Sequence, residues 1–228
     1  SWSFAISALF AIMALAILGA INYWINELPT QKNQQLLALL ASFGFGLGLE
    51  ALVALIFGTA GKSFTVGVAS SISVGAYQIP FSGVAIILGG GAVAILAGFA
   101  YRYTSLGRIL RAIAENGFSA ISLGINQSKF RLITYVCAAL VAGALGALSG
   151  LHTALVPTMG FNLLVLGFIA LLVGGVNDLK GTIFASYIVI VIPELIIGLT
   201  PSVSANWRML LVFVIAAILL IIRPHGLF

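Results

Sequence analysis

The stretch "WSFAISALFAIMALAILGAINYWI", residues 2–25, decides the class of fold because it contains no charged side chain. An α-helix rises 1.5 Å per residue, so about 20 apolar residues cross the roughly 30 Å hydrocarbon core of a bilayer. The whole chain has the same character, with 61% hydrophobic residues, 7% charged residues and a mean hydropathy of +1.21. This composition excludes a soluble domain, and long unalternating runs exclude a transmembrane barrel. The sequence predicts an all-α integral membrane protein.

Further apolar runs follow the first along the chain. The candidate spans lie at residues 2–25, 36–57, 83–101, 132–151, 163–176, 181–199 and 207–222. The run 163–176 is shorter than a span requires, and its glycines at 167, 174 and 175 predict a tilted or broken helix. With no repeat or linker in the sequence, we expect one transmembrane domain over residues 1–228, a polytopic helical bundle of about six to seven membrane segments.

Basic residues predict the orientation of this bundle, because Lys and Arg concentrate in cytoplasmic loops. Lys62 and Arg208 fall on one side, whereas the connections 26–35, 102–131 and 177–180 and the tail after 222 fall on the other. That second side carries Lys32, Arg102, Arg108, Arg111, Lys129, Arg131, Lys180 and Arg223. It is therefore predicted to be cytoplasmic, together with the C-terminus. The net charge of +5 needs no nucleic-acid partner, since contact with anionic membrane lipid would explain the same excess.

The segment 102–131 is polar and compatible with helices, unlike its neighbours. Residues 108–115 are helix formers, Asn116 and Gly117 can break or cap a helix, and "FSAISLG" predicts a second short helix with Gly124 as its C-cap. Two short helices parallel to the membrane would form a compact cytoplasmic platform.

Small residues recur at four-residue spacing, which places them on one helix face and allows close helix packing. We expect tight packing within the chain rather than a dimer face. The sets are Gly44 and Gly48; Gly90, Ala94 and Gly98; Ala139, Gly143 and Ala147; Gly146 and Gly150. The single cysteine, Cys137, is likewise expected to be a packing residue.

Two carboxylates, Glu50 and Glu194, lie inside predicted spans and are candidate functional groups, because a charge at mid-bilayer is costly. Arg208 enters the membrane near Glu194, and we expect these two to form an ion pair. No catalytic or metal site is expected, since His152 and His225 are predicted on opposite sides of the membrane. The "GTAGKS" sequence, residues 58–63, lacks the first glycine of a phosphate-binding loop, so no nucleotide or other cofactor is expected in this chain.

Several motifs resemble, in order, the signatures of the membrane (permease) subunits of branched-chain amino-acid ABC importers, and most of all the first of their two permeases. These are "GRILRAIAENGFSAISLGIN", "VPTMGF", "LLVGGVNDLKG", "PEL" and the closing "RPHGLF", within residues 24–228. The resemblance implies a second related permease, two cytoplasmic ATP-binding cassettes that hold the ATP, and an external solute-binding protein. It places the chain in the bacterial cytoplasmic (inner) membrane, with branched-chain or other amino acids, urea or amides as solutes.

On this resemblance the segment 102–131 is the loop that docks the ATPase. Its central elements are expected to be Glu115, Phe118, Ala120, Ile121, Gly124, Ile125 and Asn126, with Ala120 allowing close approach and Phe118, Ile121 and Ile125 forming an apolar ridge. The alternative is an amphipathic segment that only floats on lipid headgroups. Candidates for the translocation path are Pro157, Gly160, Gly174, Gly175 and Glu194.

The sequence departs from that family at two places. The family's additional N-terminal membrane sequence, with an Asn-Phe-Ala-His-Gly stretch, is missing, so an incomplete gene or a second chain that supplies it is expected. Residues 176–180 replace the small, uncharged residues that are usual there. Two rival hypotheses remain: a proton- or cation-coupled transporter or channel that uses Glu50 and Glu194, and a non-transporting membrane scaffold.

Overall fold

The computed structural model describes residues 2–31, 35–62, 71–74, 77–150, 153–175, 179–200 and 204–223, and these are almost entirely helical. A short hairpin and one 3₁₀ turn, Ala205–Trp207, interrupt the helices. The all-α membrane fold is confirmed. Its elements are α1 (Trp2–Gln31), α2 (Gln35–Phe57), β1 (Ser71–Val74), β2 (Tyr77–Pro80), α3 (Phe81–Tyr103), α4 (Ser105–Glu115), α5 (Gly117–Ser122), α6 (Gln127–Ser149), α7 (Met159–Gly174), α8 (Leu179–Leu199) and α9 (Arg208–Ile222).

Five of these helices, α1, α2, α3, α6 and α8, are long and apolar enough to span a membrane. The apolar helices α7 and α9 have 16 and 15 residues, which gives each a rise of roughly 23 Å, short of a full hydrocarbon core. Seven apolar helices therefore correspond to the seven predicted runs. Three details were wrong: α1 continues to Gln31 and α6 begins at Gln127, both inside expected connections, and α7 passes unbroken through Gly167.

The chain divides into two compact units, Ser1–Pro157 and Thr158–Phe228; the expectation of a single domain stays a prediction. In the first unit α1 packs against α6, and the two helices are antiparallel. A Cβ at Gly19 would lie 2.9 Å from the carbonyl oxygen of Tyr135, and one at Gly143 would lie 2.2 Å from Leu15 Cδ1. The two glycines let the helix backbones approach, as membrane helices require.

In the second unit α7, α8 and α9 enclose a small apolar core, formed by Ile169, Val173, Ala185, Val189, Val212 and Ala216. The end of α7 touches the start of α8: a Cβ at Gly174 would lie 2.3 Å from Thr182 Cα. Gly175 follows with φ +98°, a conformation that favours glycine. Its carbonyl oxygen accepts a 3.2 Å hydrogen bond from the Thr182 hydroxyl, a second contact between the two helix ends.

The segment between α2 and α3 contains an antiparallel hairpin, which was not predicted from the sequence. Its strands pair from Ser71 with Pro80 to Val74 with Tyr77. Nearby in sequence, Lys62 forms a β-bridge with Leu155, the loop residue that follows α6. The bridge joins the loops at the end of the first unit opposite to α4 and α5.

Only some of the small-residue faces pack against another helix in the described structure. Gly143 is in close contact with α1, as expected, but a Cβ at Gly44, Gly48, Gly90 or Gly98 would meet no atom within 4 Å. The expected packing within the chain is therefore wrong for these positions on α2 and α3 in the described structure. Cys137 is also exposed rather than packed.

Candidate docking site

The platform begins with α4, an amphipathic helix that lies against the end of α3. The Thr104 hydroxyl oxygen accepts a 3.2 Å hydrogen bond from the Gly107 amide and so caps the first turn. Gly107 is buried, and a Cβ there would lie 2.0 Å from the carbonyl oxygen of Tyr101. Only glycine permits this close approach of α4 to α3.

Arg111 holds α4 in this position. Its guanidinium donates hydrogen bonds of 2.7 Å to the carbonyl oxygen of Tyr101 and 3.3 Å to that of Arg102. These carbonyls belong to the last turn of α3 and lack partners within the helix. A positive charge at a helix C-terminus is also favourable, so Arg111 both satisfies the carbonyls and fastens the platform to α3.

Asn116 separates the two platform helices and caps both of them. Its backbone N–H donates a 3.1 Å hydrogen bond to the Ala112 carbonyl oxygen at the end of α4. Its side-chain oxygen accepts a 3.0 Å hydrogen bond from the backbone N–H of Ser119 at the start of α5. The predicted break at this residue is confirmed. One residue thus ends α4 through its backbone and begins α5 through its side chain.

The end of α5 is also as predicted. Gly124 has φ +79°, its amide donates to the Ile121 carbonyl, and the Ile125 amide donates to the Ala120 carbonyl. This pair of bonds is the Schellman termination of a helix. Asn126 then caps α6 by accepting a 3.1 Å bond from the Lys129 amide.

The side-chain amide of Gln127 ties the platform to α6 by donating a hydrogen bond to the Gly117 carbonyl at the start of α5. The platform is therefore connected to α3 through Arg111 and to α6 through Gln127. A force applied to α4 or α5 would pass directly into two candidate spans.

The exposed surface of the platform differs from the expected one. Ala120 is only 2% exposed, so the expected close approach of a partner to this residue is wrong: the chain's own atoms already cover it. Ile125 is half-buried. The most exposed apolar side chains are instead Phe118 at 81%, Leu123 at 79% and Ile121 at 58%. Leu123 thus takes the place of Ile125 in the expected ridge, and from here the apolar ridge means Phe118, Ile121 and Leu123.

Glu115 is exposed at the end of α4 and forms no ion pair with another described residue. It therefore remains available as an acceptor for a basic group on a partner. Asn126 is exposed as well, but its side-chain oxygen caps α6. The docking role of both residues stays a prediction.

An ion pair beneath the platform was not predicted from the sequence. Arg131 on α6 lies 2.9 Å from a Glu27 carboxylate oxygen on α1, and the Ser128 hydroxyl donates a 3.2 Å hydrogen bond to the same oxygen. Beside it Asn26, which is 1% exposed, accepts a 3.0 Å bond from the Ser42 hydroxyl of α2. These contacts join the ends of α1, α2 and α6 that lie nearest the platform.

Removal of one partner of this pair should destabilise the first unit. In Arg131→Met the Glu27 carboxylate, whose side chain is 10% exposed, loses its cation. We expect the free energy of unfolding to fall by roughly 1.5–3 kcal/mol, the contribution of a hydrogen bond to a charged group, while the bond from the Ser128 hydroxyl remains. Thermal unfolding in detergent measures the loss. Lys129→Met is the matched control, since Lys129 is exposed on the same helix, and an equal loss in both variants would contradict the assignment.

The candidates for the translocation path occupy structurally distinct positions. Gly174 is buried against α8, Gly175 ends α7, Gly160 is exposed in the first turn of α7, and Pro157 is half-buried in the loop before it. Their role in a path stays a prediction. Glu50 is half-buried on α2 and has no ion pair among the described residues.

The pair of Glu194 and Arg208 predicted from the sequence is present in the structure. Arg208 Nε lies 2.7 Å from Oε1 of Glu194, and Nη2 lies 3.3 Å from Oε2. The contact is bidentate, and both side chains are about half exposed. It connects α8 to the first residue of α9.

A double-mutant cycle should show modest coupling in this pair. We expect Glu194→Gln and Arg208→Gln to be non-additive by up to about 1 kcal/mol in the free energy of unfolding, because exposed pairs seldom contribute more. Detergent unfolding of the two single variants and the double variant measures the coupling. Strictly additive losses would show that the contact contributes nothing.

Several residues that the sequence singled out lie outside the described residues. They are Lys32, His152, Asp178 and its neighbours 176–177, and the "PHGLF" end of the C-terminal motif. The comparison with family motifs at these positions therefore depends on the sequence alone.

The apolar helices and the rigid amphipathic platform between two of them define a multi-pass membrane protein of the transport-permease class. The chain belongs to the family described as "Branched-chain amino acid transport system / permease component", which matches residues 1–221. The match starts at the first residue, earlier than the expected residue 24. No solved structure matches the chain significantly.

Curated relatives agree with this family. The chain is 27% identical over 226 residues to the high-affinity branched-chain amino acid transport system permease protein LivH of Salmonella typhimurium, covering 95% of this chain and 72% of the relative. The corresponding protein of Escherichia coli strain K12 is 26% identical, with 94% and 71% covered. A probable branched-chain amino acid transport permease protein LivH of Methanocaldococcus jannaschii is 30% identical over 54% of this chain and 41% of its own length.

Proposed function

We propose that this chain is one permease subunit of an ATP-driven importer that moves branched-chain amino acids or related small amphipathic solutes across the cytoplasmic membrane. The names of the relatives supply the solute class. The platform and the C-terminus would then lie in the cytoplasm, in accord with the distribution of basic residues. The transport role itself follows from membership of the permease family.

The observation that carries the proposal is the platform's combination of rigidity and exposure. α4 and α5 are capped at every end and tied by Arg111 and Gln127 to α3 and α6. The apolar ridge nevertheless points away from the chain with most of its surface uncovered. A rigid element with an exposed apolar ridge suits a groove on a partner protein better than it suits solvent.

The partner at the ridge would be a cytoplasmic ATP-binding cassette, one of two in the complex. ATP would bind to the cassettes and not to this chain, which therefore acts as a transport subunit without an ATPase site of its own. Nucleotide-dependent movement of the cassettes would shift α3 and α6 through the platform and so bias the path between two states. A second related permease and an external solute-binding protein would complete the assembly.

The platform could instead lie on lipid headgroups, as amphipathic segments do. Docking is favoured because Asn116 divides the segment into two short helices tied to α3 and α6, instead of one continuous amphipathic helix. The ion-coupled rival loses support because Glu194 is already paired with Arg208 and the family is that of a transport-system permease.

Uptake by the reconstituted complex tests the proposal. Vesicles that contain this chain, the second permease and the cassettes should take up radiolabelled leucine when ATP and the binding protein are supplied. An uncoupler should leave the rate unchanged. Uptake that collapses with the uncoupler would favour an ion-coupled transporter, and absence of flux with all partners present would favour a scaffold.

A further inference from the structure

An apolar groove of about 710 Å³ runs between α3 and α6 and ends beneath α4. Its walls include Leu96 and Ala97 of α3, Leu110 of α4, and Ile133, Cys137 and Val141 of α6. From Phe130 to Ala144 the α6 wall extends roughly 20 Å at 1.5 Å per residue. The groove therefore has the length and surface of a site for a hydrocarbon chain.

The groove offers little to a polar solute. Its two threonines, Thr104 and Thr134, already donate their hydroxyl hydrogens to the carbonyl oxygens of Ala100 and Phe130 on the preceding turn. The remaining lining is almost wholly apolar. An amino acid would lose hydration at both charged ends here without replacement, so the groove is not part of an amino-acid path.

Basic residues neighbour, in sequence, the lining residues at the platform end of the groove. Each of its three walls carries an exposed base next to a lining residue: Arg102 follows Tyr101 on α3, Arg108 follows Gly107 on α4, and Lys129 precedes Phe130 on α6. None of the three forms an ion pair with a described carboxylate. The end of the groove is therefore positively charged as well as apolar.

We propose that this groove binds an anionic phospholipid, with an acyl chain between α3 and α6 and the phosphate near Arg108 and Lys129. Basic pockets at the ends of membrane helices recognise anionic headgroups in this way. The positive charge at the end of the groove favours an anionic lipid as the occupant. An apolar helix of another protein would leave the three basic side chains without an anionic partner.

Photoactivatable phospholipids with a diazirine in the acyl chain test the site in nanodiscs that contain the full chain. We expect the phosphatidylglycerol probe to label peptides of α3 and α6 that line the groove at least fivefold more than the phosphatidylcholine probe does. The combined variant Arg108→Gln, Lys129→Gln should remove this preference, whereas Lys62→Gln, at the opposite end of the unit, should preserve it.

A second variant separates groove binding from general lipid contact. Ala138→Phe places a ring in the groove and should suppress labelling there, while Ala142→Phe, also exposed on α6 but not part of the lining, should not. Equal labelling by the two headgroups would overturn the proposal, and so would labelling unaffected by Ala138→Phe. Protection of Cys137 from maleimide that depends on protein concentration rather than on lipid would assign the groove to a second copy instead.

Discussion

Replacement of the apolar ridge by Phe118→Ser, Ile121→Ser and Leu123→Ser together is expected to abolish solute-stimulated ATP hydrolysis by the assembled transporter. Burial of a large apolar side chain contributes about 1.5–3 kcal/mol. Loss of three at one interface should weaken docking by at least about 4 kcal/mol, roughly a thousandfold in affinity. Co-purification of the cassettes and stimulated ATPase activity measure the effect.

The triple variant should still fold, because all three side chains are exposed in the chain alone. Insertion and detergent thermal stability should therefore match the parent protein. Leu55→Ser with Ile56→Ser is the control, since these exposed residues lie at the other end of α2, away from the platform. Full stimulation in the triple variant would show that the ridge is not the coupling surface.

Gly174→Ala is expected to destabilise the second unit by about 3 kcal/mol, the upper end of the range for overpacking. The new Cβ would lie 2.3 Å from Thr182 Cα and 2.4 Å from its nitrogen, both backbone atoms that no rotamer change can move. Helices α7 and α8 would have to separate at the point where they are closest. Thermal unfolding in detergent measures the loss.

Gly167→Ala on the same helix is the matched control. A Cβ there would meet no atom within 4 Å, and alanine favours helix more than glycine does. We expect this variant to unfold at the parent temperature or slightly above it. If both substitutions had the same effect, the contact between α7 and α8 would not be the cause.

Features that depend on neighbouring residues could be predicted from the sequence. Asn116 and Gly124 act within a few residues of themselves, as a cap and as a positive-φ termination, so "ENG" and "SLG" correctly predicted the break between α4 and α5 and the end of α5. The pairing of Glu194 with Arg208 was also accessible, because consecutive helices bring the end of one close to the start of the next.

Features that depend on distant packing could not be predicted. Glu27 and Arg131 are separated by 104 positions along the chain and meet only because α1 lies against α6. Ala120 is covered because the six-residue helix α5 turns that face toward the rest of the chain. Helical spacing alone selected Ile125 for the ridge, whereas the end of α5 exposes Leu123.

The burial of Ala120 also determines which substitutions are informative. Ala120→Glu would place a charge in the interior of the platform, and Gly124→Val would force a β-branched residue into the φ +79° conformation. Either change would disturb the platform's own fold. The exposed ridge residues test docking without this complication.

The most direct test of docking at the platform places a photoreactive benzophenone side chain at Phe118 in the assembled transporter. We expect ultraviolet cross-linking from Phe118 to an ATP-binding cassette, with a yield that changes between nucleotide-free and ATP-bound states. The same probe at Phe57, which is also aromatic and exposed but lies at the opposite end of the first unit, should capture no cassette. Cross-linking from position 118 to lipid alone would contradict the docking role of the platform.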